Sequence, residues 1–490
     1  MKRILSVIFA AAFIFTFAAN AAEEEKMNGN KYGFHVEEDG SITLDGELFY
    51  GFGVNYFGAF VRYAEQKENC PKDFIKGLAG LASYNIPFIR MPLCAYYPSY
   101  YDFYDKEPEK VFSYMDEVLD ECRKNHIGVI VSLMWWDAVV AAHVGGKRSD
   151  MGRPGSKTLE YAKEYTKAIV QRYVSHPAVW GWEIGNEYNL DADLCDKNLK
   201  EFLWPDGLSD MPKNDVNGYD YYTSEEMQVF YKEIATVIRE YDDYRMITTG
   251  NGEMRPFAYV IHKSSLKAGE DHLWDMKWNG NTRKQFDYMN KYMTPDPIDT
   301  VCFHFQSAAT DYSKQYVLTH NVFGKTISSE EYFRAYYETA KNLGKGCFFG
   351  EFGDMLAMEN EPDMMDKFKE VTDAISNSGI QIAALWQFQD YTDEGPAGLK
   401  LAYLSELNKK LVSDGKQQTE DAWKEREEIT ETETETVTET EQISEKITLK
   451  PDDDVITEKK TNVIPYIIAA AAAVAVCAAV VVIIKKKKKK

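Results

Sequence analysis

The chain has 490 residues, of which 44% are hydrophobic and 14% aromatic, so it holds ample apolar material for a large folded core. This composition excludes a disordered or fibrous protein. The formal net charge is −22 at pH 7, and because such a surface repels a phosphate backbone, nucleic acid is not expected as a partner. The length allows about three domains, although α/β barrels often use roughly 250 residues or more as one.

The first residues have the features of a secretory signal peptide. Lys2 and Arg3 form a basic segment, an apolar stretch runs over 4–19, and residues 19–21 read Ala-Asn-Ala. A basic segment, an apolar run and a small-residue cleavage site in this order predict a signal peptide over 1–22. An uncleaved anchor is the alternative.

The last part of the chain predicts a membrane anchor on a stalk. Residues 463–484 carry no charge and would form a helix of about 33 Å, which spans a bilayer. The lysines of 485–490 mark the cytoplasmic side, so we expect an exported protein anchored to the cell membrane, with 23–417 outside. Residues 418–462 hold 15 acidic and 6 basic side chains and the Glu-Thr repeats of 431–436, which predict a disordered stalk. A tail removed for a lipid anchor is the weaker alternative.

The seven cysteines are sparse and show no CxxC spacing. We therefore predict neither a disulfide framework nor a zinc site. Cys302 and Cys347 lie in apolar, strand-like runs, where a buried free thiol is the commoner state.

An N-terminal β-hairpin precedes a regular alternation of strands and helices. Two alternating segments flank the Glu-Asp-Gly of 38–40, which is a hairpin signal. The predicted strands are Gly51–Tyr56, Ile86–Pro92, Ile127–Trp135, Val179–Glu187, Arg245–Gly250, Thr300–Phe305, Cys347–Phe352 and Gln381–Phe388. Predicted helices between them include Glu109–Lys124, Ser156–Val174, Ser224–Tyr241, Ser328–Asn342 and Asp363–Ser376.

Such alternation is typical of an α/β fold with a parallel sheet, and eight units predict a closed (β/α)8 TIM barrel over 23–417. The alternative is an open doubly wound sheet, which favours a Gly-rich phosphate loop after its first strand. Gly51-Phe52-Gly53 does not continue into such a loop.

Chemistry in a TIM barrel takes place at the carboxyl ends of the strands. Glu187 ends the fourth run and Glu351 the seventh, and these strands lie across the barrel mouth from each other. Two carboxyl groups about 5–5.5 Å apart are what a retaining glycosidase uses, one as acid/base and one as nucleophile. Glu183 should point into the barrel, where a structural hydrogen-bonding role is expected.

The sequence here resembles a known family. Residues 179–187 read VWGWEIGNE and are similar to the strand-four Asn-Glu motif of glycoside hydrolase clan A, especially family 5, the cellulase and β-mannanase family. The Gly-Glu-Phe-Gly of 350–353 resembles its strand-seven nucleophile motif. Arg90, His304 and Trp386 match its strand-two arginine, strand-six histidine and strand-eight tryptophan, and the resemblance covers about 32–417.

The resemblance implies roles for these residues. Glu187 would be the acid/base and Glu351 the nucleophile. The residues implied to bind substrate are Arg90, Asn186, His304, Trp386 and Trp136. Arg90 could instead be a structural ion pair, and Trp386 could belong to the core. No metal or organic cofactor is implied, because two carboxylates suffice for the reaction.

Two positions depart from the family pattern. Many members have a histidine at the end of strand three, where this chain has the Leu-Met-Trp-Trp-Asp of 133–137. This tryptophan-containing loop, followed by Gly145-Gly146, is more similar to β-mannanases than to cellulases. Gln306 stands where members commonly have a tyrosine near the nucleophile.

The leading hypothesis is a monomeric retaining glycosidase that cleaves a β-linked polysaccharide, endo-acting on β-1,4-mannan or glucan. The alternative is a catalytically inactive barrel that serves as a surface carbohydrate-binding or adhesion protein. A metal-dependent hydrolase would need a histidine cluster at the strand ends, and of eight histidines only His304 ends a strand. The tyrosines of 96–104 could stack on sugars or simply pack a loop.

Overall fold

The structure is a computed structural model. It describes residues 32–66, 72–94, 98–193, 222–263, 281–305, 319–323, 325–353, 363–389, 395–418 and 423. The predicted signal peptide, the apolar segment 463–484, the lysine tail and almost all of the stalk lie outside these residues. None of the helices in the described part has both the length and the hydropathy that a bilayer crossing needs.

A small antiparallel sheet precedes the barrel. It consists of β1 (Phe34–Val36), β2 (Ile42–Leu44) and β3 (Glu47–Leu48). β1 and β2 form the predicted hairpin, whose turn contains Gly40 at φ 77°, a conformation that favours glycine.

Eight parallel strands form a closed barrel, as the alternation predicts. They are β4 (Gly51–Asn55), β5 (Phe88–Pro92), β6 (Gly128–Met134), β7 (Val179–Gly185), β8 (Ile247–Thr248), β9 (Thr300–Phe305), β12 (Gly346–Phe352) and β13 (Ile382–Leu385). Closure is made by β13, which pairs in parallel with both β12 and β4. Between β9 and β12 lies a hairpin of β10 (Thr319–Val322) and β11 (Lys325–Ser328), which the sequence patterns did not predict.

Helices surround the barrel and connect its strands. They are α1 (Gly58–Gln66), α2 (Asp73–Ser83), α3 (Pro98–Lys106), α4 (Pro108–Lys124), α5 (Asp137–Val144), α6 (Lys157–Tyr173), α7 (Ser224–Arg239), α8 (Ala258–Lys263), α9 (Arg283–Tyr292), α10 (Ser329–Asn342), α11 (Met364–Ser378) and α12 (Gly395–Ser413). The five predicted helices are present to within three residues at each end. Ser328 and Glu331 form the expected capping box at the start of α10.

The N-terminal sheet covers the end of the barrel where the strands begin. Phe34 contacts Phe88 and Trp180, near the first residues of β5 and β7, at ring-centroid distances of 5.5 and 5.2 Å. Trp423, 1% exposed, stacks on Trp180 and on His126 at the same end. The packing at this end of the barrel thus includes a residue beyond 417. The opposite end, where the strands finish, is the one that can hold a functional site.

Candidate active site

Two glutamates meet at the carboxyl end of the barrel. Glu351 is the sixth residue of β12, and Glu187 follows the last residue of β7 by two positions. A carboxylate oxygen of each lies within 4.8 Å of one on the other. The Glu351 side chain is 3% exposed and that of Glu187 is 34% exposed, so Glu351 forms the floor of the site and Glu187 faces the opening.

The backbone at Glu187 is held in an uncommon conformation. Glu187 has φ 57°, in the left-handed region that non-glycine residues rarely occupy. Its amide donates to the carbonyl of Gly250 at 2.8 Å, across from β7. Gly250 has φ 72° and lies against Gly185, so a side chain there would collide with the backbone. Such enforced strain is concentrated at functional sites, and here it falls on one of the two glutamates.

Arg90, from β5, joins two buried carboxylates. Its Nη1 donates to Glu351 Oε1 at 2.6 Å, and its Nε lies 2.8 Å from both oxygens of Glu183. The side chains of Arg90 and Glu183 are 0% exposed. Glu183 therefore has the structural role expected of it, because it compensates the buried guanidinium on the side away from the opening.

Two asparagines complete the hydrogen bonds of this guanidinium. Arg90 Nη1 donates to Asn55 Oδ1 at 2.9 Å, and Nη2 donates to Asn186 Oδ1 at 2.7 Å. Asn55 in turn donates to the carbonyl of Gly350 at 2.9 Å, next to Glu351. Asn55 ends the first barrel strand, yet sequence reasoning assigned it no role, since one asparagine at a strand end is a weak signal.

His304, from β9, lies between the two glutamates. Its Nδ1 is 3.0 Å from Glu187 Oε1 and 3.5 Å from Glu351 Oε1. Burial of the ring opposes a positive charge, but the negative charge of Glu351 and the hydrogen bond to Glu187 prevail and raise the pKa of His304 to about 10. His304 Nδ1 thus makes a hydrogen bond with Glu187 and an ion-pair contact with Glu351.

The two carboxyl groups have different surroundings. Burial acts to raise the pKa of Glu187, but the hydrogen bond and charge of His304 outweigh it, and the net shift is downward. Burial raises the pKa of Glu351, and the nearby Glu187 charge adds to this, against the attraction of His304 and Arg90. Groups this close titrate as a pair and share their protons.

A cation could be held only at the expense of these contacts. Oxygens of Glu187 and Glu351 and a nitrogen of His304 lie within 4.8 Å of one another, which is a spacing that metal ligands can have. However, Arg90 already places a positive charge 2.6 Å from Glu351. A divalent ion at this point would be repelled by the guanidinium and by the imidazolium.

A pair of tryptophan rings lies next to Arg90. The rings of Trp135 and Trp386 stack with centroids 6.0 Å apart, and the Arg90 guanidinium lies 4.5 Å from the centre of a Trp135 ring. Trp386 is partly buried and is linked to Arg90 through its stack on Trp135. Trp136 precedes α5 and packs, partly buried, against the hydrophobic core. Trp135 thus contacts the site's arginine, and substrate binding by Trp136 stays a prediction.

Two of the tyrosines that follow β5 have a structural role. Tyr100 and Tyr101 are buried in α3 and pack against Tyr165, so these tyrosines belong to the core.

Glu253, beyond β8, accepts a 2.6 Å hydrogen bond from Tyr332, and burial raises the pKa of this carboxyl to about 7. No sequence motif marks Glu253. Gln306 lies outside the described residues.

The arrangement defines a class of protein. A (β/α)8 barrel with two facing carboxylates, an arginine on one and a histidine between them has the groups that acid/base and nucleophilic cleavage of a glycosidic bond require. Residues 51–392 match the family model described as Cellulase (glycosyl hydrolase family 5). The chain belongs to this family, as the resemblance indicated.

Individual relatives are distant. The chain is 21% identical over 295 residues to a probable mannan endo-1,4-β-mannosidase F of Emericella nidulans, covering 57% of this chain and 52% of the relative. It therefore spans about half the length of that relative. A shorter stretch of 81 residues is 35% identical to a probable mannan endo-1,4-β-mannosidase A-1 of Aspergillus terreus, covering 15% of this chain and 20% of that one.

A solved structure shares the fold. The family 5 mannosidase of Rhizomucor miehei superposes with a TM-score of 0.50 at 14% identity, over 81% of this chain and 100% of that one. At this identity the likeness speaks for the fold alone.

Proposed function

We propose that the protein is a retaining glycoside hydrolase that cleaves β-linked polysaccharide, endo-acting on β-1,4-mannan or β-1,4-glucan. The observation that carries the proposal is the Glu187–Glu351 pair, whose oxygens approach within 4.8 Å with Arg90 fixed on Glu351. An approach of two oxygens this close favours direct attack by one carboxylate, because a retaining enzyme holds its two carboxyl groups closer together than an inverting enzyme does.

In the first step Glu351 acts as the nucleophile. A carboxylate oxygen of Glu351 forms a bond to the anomeric carbon while the bond to the leaving oxygen breaks, and Glu187 gives its proton to that oxygen. In the second step Glu187, now a carboxylate, takes a proton from water. The water oxygen then displaces Glu351, so that the sugar leaves with its original anomeric configuration.

Substrate binding would place the shared proton on Glu187. Its side chain is 34% exposed in the unliganded site, and a sugar that covers it removes water and raises its pKa. Glu351 keeps its contact with Arg90 whether or not substrate is bound, and that charge-assisted bond favours the ionised form. The reaction requires Glu187 neutral and Glu351 charged, whereas in the unliganded site the pKa of Glu187 is lowered and that of Glu351 is raised. Substrate binding therefore has to reverse the order of the two pKa values.

The choice of mannan or glucan is supported by the relatives and by the tryptophan pair. Both sequence relatives described above carry mannosidase names. The stacked Trp135 and Trp386 provide a flat apolar surface next to Arg90, of the kind that packs on a sugar ring.

The proposal includes location. We propose that the enzyme is exported and held at the cell membrane by 463–484, with residues 418–462 as its stalk. Intact cells that lose the activity into the medium after brief external protease treatment would support this placement. Activity that resists protease until the cells are lysed would contradict it.

The test of function is hydrolysis with product analysis. The purified full chain is incubated with mannan, glucan and xylan, and the first anomers released are followed by NMR. We expect β-anomers from mannan or glucan with wild type, and a loss of at least about 10³-fold in kcat with Glu351→Gln, because the amide cannot form the glycosyl-enzyme. Initial α-anomers would contradict retention, and sugar binding without released reducing ends would favour the carbohydrate-binding alternative.

A further inference from the structure

The loop after β8 lies against the Glu187 carboxyl. A Cβ built on Gly252, in this loop, would lie 3.2 Å from Glu187 Oε1 and equally close to two side-chain carbons of Leu190. The same oxygen is 3.0 Å from His304 Nδ1. Gly252 and His304 thus both border the carboxyl group that acts as acid/base in the proposed reaction.

Asn189 holds Gly252 through hydrogen bonds in both directions. The Gly252 amide donates to Asn189 Oδ1 at 2.8 Å, and Asn189 Nδ2 donates to the Gly252 carbonyl at 3.0 Å. Asn189 is 3% exposed. A carboxamide can donate and accept at once, whereas an ionised aspartate only accepts and an aliphatic side chain does neither. The residue type at this position therefore matters for the contact.

Asn189 also belongs to the turn that starts at Glu187. Tyr188–Leu190 is a short 3₁₀ helix that follows Glu187 directly, and the Leu190 amide donates to the Glu187 carbonyl at 2.9 Å. The Glu187 amide is bonded to the carbonyl of Gly250 at 2.8 Å. This turn is thus joined to the loop after β8 at two points, by the backbone of Glu187 and by the side chain of Asn189.

We propose that Asn189 is a positioning residue: by holding Gly252 it fixes the surface against which the Glu187 carboxyl rests, and so places that acid at the leaving oxygen. This inference rests on the proposed function, because it assigns a residue that orients the acid/base of that reaction. Without the amide, the Gly252 N–H and C=O would lose these partners, and the loop would be free to shift relative to Glu187. A displacement of about 1 Å at a catalytic group can cost about 10²-fold in rate.

The leaving group separates a role in proton donation from a role in folding. Cleavage of a β-1,4-linked oligosaccharide needs a proton on the departing sugar oxygen, whereas dinitrophenolate is a stable anion that departs without one. A displaced acid therefore lowers kcat/KM for the oligosaccharide and spares the dinitrophenyl glycoside. Loss of folded protein lowers both values by the same factor.

The full chain is assayed on a β-1,4-linked oligosaccharide of mannose or glucose and on the dinitrophenyl β-glycoside of the matching disaccharide. We expect Asn189→Ala to lower kcat/KM about 10-fold or more for the oligosaccharide and less than about 2-fold for the dinitrophenyl glycoside. Gly252→Ala, whose methyl group would lie 3.2 Å from Glu187 Oε1, should show the same selective loss.

The matched control is Asn408→Ala. Asn408, in α12 and 0% exposed, holds Phe52 of β4 through the same pair of amide hydrogen bonds, at 3.0 and 2.9 Å. Its loss should destabilise the fold and leave the ratio of the two kcat/KM values as in wild type.

An unchanged ratio in Asn189→Ala would overturn the inference. If that variant does not fold, Asn189→Asp, which keeps the acceptor for the Gly252 amide but loses the donor, replaces it with the same criterion. Wild type that cleaves neither substrate would refute the proposed function, on which the inference depends. Wild type that cleaves both, with an equal loss on both substrates in the Asn189 variant, would overturn the positioning role alone.

Discussion

Replacing Arg90 by methionine should destabilise the protein through the two carboxylates it leaves behind. Methionine fills much of the same space but removes the charge that contacts Glu183 and Glu351, whose side chains are 0% and 3% exposed. Breaking a buried ion pair by removing one partner costs about 3–5 kcal/mol. We expect a loss in the free energy of unfolding at pH 8 of at least this size.

The loss should depend on pH in a defined direction. Without the guanidinium, the folded-state pKa of Glu351, which burial already raises, moves further above the unfolded value of about 4.3. The folded variant then binds more protons than the unfolded chain, so its stability falls as the pH rises through the shifted pKa. The deficit relative to wild type should therefore be smaller at pH 5 than at pH 8, by about 1 kcal/mol or more.

Urea denaturation of both proteins at pH 5 and pH 8 measures this difference. Arg90→Met combined with Glu183→Gln should recover part of the loss at pH 8, because one orphaned charge is gone. Arg172→Met, at a half-exposed pair with Asp116, is the matched control and should cost at most about 1 kcal/mol at either pH. An equal deficit for Arg90→Met at both pH values would refute the reasoning, since lost packing alone is insensitive to pH.

Three further changes test separate contacts. The free energy of unfolding of the wild type should fall as the pH rises from 4.5 to about 7, because Glu253 ionises with a raised pKa in the folded state. Glu253→Gln should abolish this fall, which is worth up to about 3 kcal/mol. The same pH dependence in both proteins by urea denaturation would contradict this. Gly350→Ala should lower kcat about 10-fold or more and stability by about 1–3 kcal/mol, because its Cβ would lie 2.6 Å from His304 Nε2; unchanged kinetics would argue against that close approach. Trp386→Ala should raise KM for polysaccharide several-fold with less effect on kcat, and an unaltered KM would assign this ring to packing alone.

The barrel could be predicted because a simple pattern determines it. Each buried strand is a short apolar run, and the charged or amide residue that ends it must lie at the mouth. Glu187, Glu351 and His304 were located in this way. The inward direction of Glu183 also followed, from its alternation with Trp182. The predicted bounds differ most at β8, which has two residues rather than six and ends two residues before the left-handed turn at Gly250.

What the sequence could not predict depends on geometry between strands. The partner of Glu183 is 93 positions earlier in the chain, and no local spacing links it to Arg90. Trp135 and Trp136 both follow Met134, where β6 ends and strict alternation stops, so the pattern could not show which ring approaches the arginine. Likewise, the room that His304 Nε2 occupies next to β12 depends on the absence of a side chain at Gly350, on another strand.

The covalent intermediate on Glu351 is the most direct test of the central claim. The full chain is incubated with an activated 2-deoxy-2-fluoro-β-glycoside of mannose or glucose, which slows breakdown of the glycosyl-enzyme, and its peptides are analysed by mass spectrometry. The account predicts one fluorosugar per chain, on Glu351, and no adduct in Glu351→Gln. A chain that hydrolyses β-glycan yet carries the label on another residue, or never carries one, would contradict it.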